Sequence, residues 1–407
     1  VAQRVADLAR RHAVSVQLFG IHQDGELRWS PADNPGLGTS RQPVEARVRA
    51  QEYLVERENL FGEGRFEVDV LISPERLVTD YVTKLIEYPG ALQVLDFANG
   101  QVQLVATRSY FGGPLLGKSL AEIKQQMPKY QAQIAAIYRS NRSIPLTDDT
   151  VVEIGDEIFF VAATTHIMDV MSALRRLENP YKRIMIAGGG NIGFSLAQNL
   201  ENDYQVKLFE RNQDRARYIA QKLHKTIVLL GDASERELLA NENVEFTDVF
   251  CAVTNDDEVN IMSCMQAKRM GAKHVMALIT RTAYVDLIEG SDIDIAISPQ
   301  QSTIGSILTH IRQGDIVNVH SLRRGAAEAI EVVAHGDKKT SRVVGRKLSQ
   351  INLPKDTNIG AIVRQNKVVL PTADTEIESE DHIILFLIDK RHLAEVEQLF
   401  QVSVIFV

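Results

Sequence analysis

Two patterns of apolar and polar positions alternate along the chain. The first dominates residues 183–300. Arg183-Ile184-Met185-Ile186-Ala187 reads as a buried strand, and Ile192, Leu196, Ala197 and Leu200 then recur at helical spacing. "YQVKLFE", "IVLLGDAS", "VFCAVTNDDEVN" and "VMALIT" supply four further apolar runs, each ending in polar residues. Strands that alternate with helices in this way predict a doubly wound parallel α/β sheet.

The second pattern is β-rich. "AAIYR" and "IFFVA" in one place, and "GAIVR" and "IILFL" in another, follow a helical "LAEI" or "LSQI" stretch and precede a closing helix, "HIMDVMSALRRLENP" or "DKRHLAEVEQLF". These stretches are copies of each other. From Ala135 and Gly360 onward they keep a constant offset of 225, which matches Arg139 with Arg364, Asp149 with Asp374 and Asp156 with Asp381. Ile72-Ser73-Pro74 and Ile297-Ser298-Pro299 share the same offset. After each of them comes an amphipathic helix, "ERLVTDYVTKLIEYPG" or "QQSTIGSILTHIRQGD", able to pack on its own sheet or to pair between units. The chain is therefore expected to be a duplicated two-part unit: Rossmann-like parts at 1–90 and 181–314, and small α+β C-lobes at 91–178 and 315–407.

Chemistry enters at the turn after the first strand of the second half. Gly188, Gly190 and Gly193 fit G-x-G-x-x-G between a strand and a helix, with Glu210 at the end of the next strand. Gly188 suits the tight turn, Gly190 lets backbone N–H groups approach a pyrophosphate, and Gly193 permits close packing at the helix N-terminus, where anions are favoured. Glu210 should accept from ribose hydroxyls, so NAD or an adenine nucleotide is expected before NADP. Asp232, Thr254, Asn255 and Asp256 follow two later strands, and Arg281 follows a fifth as a counter-charge for phosphate. No His, Asp or Lys is placed as an acid-base relay for hydride transfer. His274 and His310 lie in or near apolar segments and read as structural. A binding site without catalysis is the expectation.

Composition narrows the partners. The chain has 407 residues, enough for two to four units, and a net charge of −8, which argues against nucleic acid. Cys251 and Cys264 are its only cysteines, so no disulfide framework or metal–cysteine cluster is expected. No apolar run reaches the roughly 18 residues of a membrane span, so any membrane contact would run through a partner.

"MIAGGGNIGFSLAQNLE", "VLLGDAS", "AVTNDDEVNIMSCMQAKRMGAKHVMALI", "YPGALQVLDFANGQVQLVA" and "YFGGPLLGKSL" resemble the tandem regulator-of-potassium-conductance (RCK) family that serves bacterial Trk potassium uptake systems. The resemblance runs in order from about Arg47 to the end of the chain. It implies a non-enzymatic regulatory subunit, cytoplasmic and peripheral on the inner face of the membrane. Such a subunit senses NAD(H) and ATP or ADP, forms a homo-oligomeric, tetrameric ring and gates a TrkH/TrkG-like integral membrane potassium transporter subunit. Its ligand residues fall on Gly188, Gly190, Asn191, Ile192, Gly193, Glu210, Arg211, Asp232, Thr254, Asn255, Asp256 and Arg281.

In the first half the same alignment sets Ala2 opposite Gly193 and Gly20 opposite Glu210, so the glycine loop is missing and the first Rossmann unit is incomplete. Arg49 is its remaining phosphate-contact candidate, as the counterpart of Arg281. The rival expectations are an NAD-dependent oxidoreductase and a binding module of another ion channel or antiporter.

Overall fold

The computed structural model describes strands β1 (Val16–Ile21), β2 (Leu27–Arg28) and β3 (Glu45–Val48), then residues 70–402 apart from 127–131, 141, 175–179, 289–290, 312–314 and 323–326. The chain divides into two compact units, and each draws on both halves of the sequence. One joins Val1–Thr83 to Tyr181–Thr303, and the other joins Lys84–Pro180 to Ile304–Val407. Like parts of the duplicated unit are thereby grouped with like.

With β4 (Val70–Ile72) the early strands form a sheet of order β2-β1-β3-β4. β1 runs antiparallel to β2 and β3, and only β3 and β4 are parallel, which departs from the uniformly parallel sheet expected of this half. Antiparallel neighbours need no helical crossover, which suits a stretch far shorter than its second-half counterpart. Helix α1 (Pro74–Glu87) follows, with proline in its first turn and Ser73 Oγ accepting from Arg76 N at 3.4 Å.

The first C-lobe contains β5 (Ala91–Phe97), β6 (Val102–Arg108), α2 (Leu120–Gln126), β7 (Ala132–Arg139), β8 (Arg142–Ile144), β9 (Glu157–Ala163) and α3 (Ile167–Leu174), with strand order β5-β6-β9-β7-β8.

The second half opens with β10 (Arg183–Ala187), α4 (Asn191–Leu200), β11 (Gln205–Glu210), α5 (Gln213–Lys222), β12 (Ile227–Leu230), α6 (Arg236–Asn241), β13 (Val249–Ala252), α7 (Asp257–Arg269), β14 (His274–Leu278), α8 (Thr282–Leu287), β15 (Ile295–Ile297) and α9 (Pro299–Ile311). Its sheet has order β12-β11-β10-β13-β14-β15, and every neighbouring pair is parallel. This is the doubly wound topology, and the order reverses between β10 and β13, where such sheets open a ligand crevice. Met185, Phe209, Phe250, Cys264, Val275 and Leu239 fill the core on one face.

The second C-lobe repeats the first with β16 (Ile316–Leu322), β17 (Ala327–Ala334), β18 (Thr357–Arg364), β19 (Lys367–Val369), β20 (Asp381–Leu387) and α10 (Leu393–Phe400), in the equivalent order β16-β17-β20-β18-β19. Register breaks recur at Ile134/Ala136 and Ile359/Ala361. So does an arginine clasp. Arg139 Nε and Nη2 reach Asp156 Oδ1 and Oδ2 at 2.8 and 2.9 Å, and Arg364 holds Asp381 the same way at 2.8 Å each. Both aspartates are fully buried, and their hydrogen bonds hold the guanidinium pKa values above the ordinary arginine range. The helix expected over "LSQI" is a single 3-10 turn, Leu348–Gln350. Pro354 lies close behind and disfavours helix at Leu353.

The two C-lobes share one apolar core. Phe97, Leu104, Phe159 and Val161 of the first pack with Leu322, Ala329, Ala361 and Phe386 of the second, and Phe159 meets Phe386 edge-on at 5.6 Å. Asn318 Nδ2 donates to Asp96 O at 3.2 Å, and Gln93 Nε2 donates weakly to Ser321 O at 3.5 Å. Under the 225 offset these bonds are each other's image, the mark of a twofold interface.

Candidate functional site

The carboxyl ends of β10, β11, β12 and β13 enclose a cleft of about 400 Å3. Its lining includes Gly188, Gly190, Asn191, Glu210, Arg211, Asp232, Thr254, Asn255 and Asp256, nine of the thirteen residues singled out from the sequence. A larger cleft of about 800 Å3 opens at the opposite, amino ends of the same strands, beside Arg183, Tyr204 and Phe246. Volume does not choose between them. The amino end of a helix points only into the first.

That helix end follows from the glycines. Gly188 has φ +106°, and a Cβ there would sit 2.9 Å from Thr254 Cγ2, so β10 can turn sharply only with glycine. A Cβ on Gly193 would lie 1.8 Å from Gly188 O, which lets α4 press against the turn that launches it. Gly190 faces open space and N-caps α4 without any side-chain acceptor, and no acid occupies the first turn. The helix therefore presents its N–H groups and positive dipole end with no charge of its own to neutralise them.

Around this anion-seeking end the other side chains are held in place. Glu210 Oε2 accepts from Gly189 N at 2.9 Å and Oε1 from Asn212 N at 2.7 Å, which fixes the carboxylate at the rim with lone pairs left for hydroxyl donors. Asp232 Oδ1 accepts from Ser234 N and Oγ at 2.8 and 2.7 Å. Those bonds, and then the nearby Arg211 charge, hold its pKa below the usual aspartate range. Asp256 N-caps α7 through Val259 N at 3.0 Å, and Asn255 is exposed at the mouth.

Ile192 and Gly193 belong to the first turn of α4 but do not line the cleft. Arg281 is also set apart. Its Nη1 donates to Glu258 Oε1 at 2.7 Å and Tyr284 OH at 2.8 Å, its guanidinium lies over the Tyr284 ring, and it is absent from the lining. The Tyr284 and Glu258 partners hold its pKa above the ordinary range. Arg49 lies outside the described residues, as does the side chain of His310. His274 packs beside the Tyr181 ring at 5.3 Å. Cys251 and Cys264 are fully buried, and burial pushes the Cys251 thiol up to about 12.

Three supporting residues escape a reading of the sequence. Asn260, fully buried one turn into α7, accepts from Thr254 N (2.9 Å) and Oγ1 (2.7 Å) and donates to Thr254 O (3.0 Å) and Leu278 O (2.9 Å). It pins the β13 loop to the end of β14. Asp257, also buried, gathers Thr280 N, Thr280 Oγ1 and Arg281 N. Arg215 donates from Nε to Gly189 O at 2.7 Å while stacking over Phe194 and Tyr218. Polar residues on amphipathic helices ordinarily face water, so nothing in their spacing marks these three as tethers. Among the described residues no cluster of His, Cys, Asp or Glu is arranged for a metal ion, and no helix is long and apolar enough to cross a membrane.

Comparison with known proteins gives consistent matches. A family model described as the TrkA-N domain matches residues 184–299, and the TrkA-C domain model matches twice, at 108–175 and 337–401. The chain is 57% identical over 361 residues to the Trk system potassium uptake protein TrkA of Halomonas elongata, covering 89% of this chain and 79% of that one. The proteins of the same name from Vibrio alginolyticus and Haemophilus influenzae are 57% and 50% identical, with the same coverage. Among solved structures, the GsuK RCK domain superposes with a TM-score of 0.51 at 16% identity, over 88% of this chain and 75% of that one. The GsuK channel bound to NAD superposes at 0.50 and 15%, over 88% and 62%. At such identities the likeness concerns the fold.

Proposed function

The chain belongs to the TrkA family of Trk system potassium uptake proteins, and from that premise we propose that it is a regulatory subunit that reads a nucleotide in the α4 cleft and gates a membrane potassium transporter. The observation that carries the reading is the uncapped amino end of α4 at Gly190, opposite Glu210. The backbone N–H groups would hold a pyrophosphate and Glu210 the adenosine ribose. NAD(H) fits this arrangement best, in keeping with the NAD-bound GsuK channel among its structural neighbours.

ATP or ADP would use the same helix end, the extra charge being met by Arg211 in the lining or by Arg281 if it leaves Glu258. The residues assigned to the ligand are Gly188, Gly190, Asn191, Ile192, Gly193, Glu210, Arg211, Asp232, Thr254, Asn255, Asp256 and Arg281, with Arg49 as the first-half counterpart. We assign four subdomains, 1–90, 91–178, 181–314 and 315–407, whose arrangement in a homo-oligomeric, tetrameric ring responds to the ligand. A ligand shifts such an equilibrium only through unequal affinity for its states. The partner is a TrkH/TrkG-like subunit, which places this chain on the cytoplasmic face of the membrane, and no catalysis is required of it.

Calorimetric titration with NADH, NAD, ATP and ADP tests the reading, with Gly190→Asp as the comparison. Open space beyond Gly190 admits the new carboxylate without strain, and its charge repels phosphate. Binding to the parent and not to the variant is expected. Equal binding by both would remove the α4 cleft as the site.

A further inference from the structure

A cation stands at the border of the α4 cleft, and a carboxylate holds it there. Of the charged residues that line the cleft one is a cation, Arg211, and three are acids, Glu210, Asp232 and Asp256. The N–H groups at the start of α4 suit the pyrophosphate of a dinucleotide. A triphosphate brings roughly two more negative charges, mostly on its terminal phosphoryl group. Among three carboxylates it needs a further cation.

Arg281 has a fixed backbone and a loosely held head. Its N–H donates to the buried Asp257 Oδ2 at 2.8 Å, and Asp257 follows the cleft-lining Asp256. Nη1 donates to Glu258 Oε1 at 2.7 Å and to Tyr284 OH at 2.8 Å, while Tyr284 OH donates to the same Oε1 at 2.8 Å. Nε and Nη2 find no acceptor among the described residues. The Arg281 and Glu258 side chains are 60% and 52% exposed, so a swing of the guanidinium breaks only a solvated pair, worth up to roughly fivefold in an equilibrium constant. Nor is the pair needed to join α7 to the end of β14. The buried Asp257 already does this, gathering Thr280 N, Thr280 Oγ1 and Arg281 N.

Glu258 lies in sequence between Asp256 and Val259, which both line the cleft. We propose that Glu258 is a specificity-determining latch: it withholds Arg281 from phosphate, which leaves the site set for a dinucleotide, and it must release Arg281 before a triphosphate is held tightly. The latch rests on the reading of the α4 cleft as the nucleotide site. Phosphate and Glu258 compete for one guanidinium, and the apparent affinity for a triphosphate is lowered as the released fraction of Arg281 falls. Tyr284 steadies the latched form by bonding to both members of the pair.

Calorimetry on the full chain with NADH, ADP and ATP, in the absence of divalent cations, tests the latch. Glu258→Gln should tighten ATP by about threefold, tighten ADP by less and leave NADH unchanged, and the gain should fade as salt rises. The deciding comparison is Glu258→Gln in an Arg281→Ala protein. There ATP affinity should move by less than about 1.5-fold, because the cation that the latch controls is gone. Equal tightening with and without Arg281 would mean that the carboxylate repels phosphate directly, and would overturn the latch. So would an ATP-to-NADH affinity ratio that Glu258→Gln leaves as it is. The underlying reading fails separately: a parent that binds none of the three nucleotides, or binds them no better than Gly190→Asp does, removes the cleft as the site and the latch with it.

Discussion

Replacing Asn260 by alanine should damage both the second-half sheet and its cleft, and the extent can be worked from the contacts. The side chain is fully buried and makes four hydrogen bonds, two accepted from Thr254 and two donated, to Thr254 O and Leu278 O. Alanine leaves the Leu278 carbonyl, which is 4% exposed at the residue level, without its donor. An orphaned buried acceptor costs about 1–3 kcal/mol, and the Thr254 N–H adds about 1 kcal/mol more. Thr254 Oγ1 keeps Asp256 O and Asp256 N as partners, each at 3.2 Å.

The sum is roughly 3 kcal/mol of unfolding free energy, read as a lowered urea midpoint. Because Thr254 lines the cleft, NADH affinity by calorimetry should fall by about tenfold as the β13 loop loses its tether. Asn260→Asp sharpens the test. It keeps both accepted bonds but turns carboxylate oxygen toward two carbonyls in a dry site, so it should be no more stable than the alanine variant. An Asn260→Ala protein within about 0.5 kcal/mol of the parent, with unchanged affinity, would refute the tether.

Gly193→Ala, whose Cβ meets Gly188 O at 1.8 Å, should cost about 3 kcal/mol and abolish calorimetric NADH binding. Gly190→Ala, with open space around its Cβ, should change stability by no more than about 0.5 kcal/mol. Arg139→Ala strands the buried Asp156 carboxylate and should destabilise the C-lobes by about 3–5 kcal/mol, with Arg364→Ala the matching loss in the second copy, both measured by thermal unfolding. His320, whose Nε2 donates to Asp96 O, has its pKa lowered to about 4 by burial, against 6.5 when unperturbed. The unfolded chain therefore binds the extra proton first. Stability is unaffected above the unfolded pKa and falls as the pH drops from about 6.5 toward 4, by about 3 kcal/mol in all. His320→Gln should lose this part of the pH dependence, and identical slopes for variant and parent would contradict the assignment.

Much of this was legible in the sequence because local rules and tertiary packing agree there. The run Arg183–Ala187, the spacing of its glycines and the reach to Glu210 specify a strand, a turn and a helix that no other arrangement satisfies, and the structure has them as β10, α4 and β11. The offset matching Arg139 with Arg364 and Asp156 with Asp381 likewise marks two clasps of identical geometry. Legibility ends where a side chain's role depends on distant partners. Asn260 looks like any polar residue on a helix until β13 and β14 close around it. Arg281 follows a strand end as expected, but Glu258 and Tyr284, on two other turns, draw it from the cleft lining. The β6 and β17 strands are buried on both faces because each C-lobe sheet covers the other, a fact about pairing that no single strand encodes.

That pairing has a consequence for how the protein can change. Two identical chains meeting across a twofold axis must carry the same residue on both sides, so any substitution appears twice. Here the sides lie in one polypeptide, and the partner cannot dilute away. Each side is therefore free to drift. Leu95 stands where the other lobe has His320, and Ala106 where it has Glu331, whose carboxylate reaches across to Ala98 N at 2.9 Å. Covalent fusion has turned a symmetric joint into one with a left and a right, so that protonation can act on one side alone.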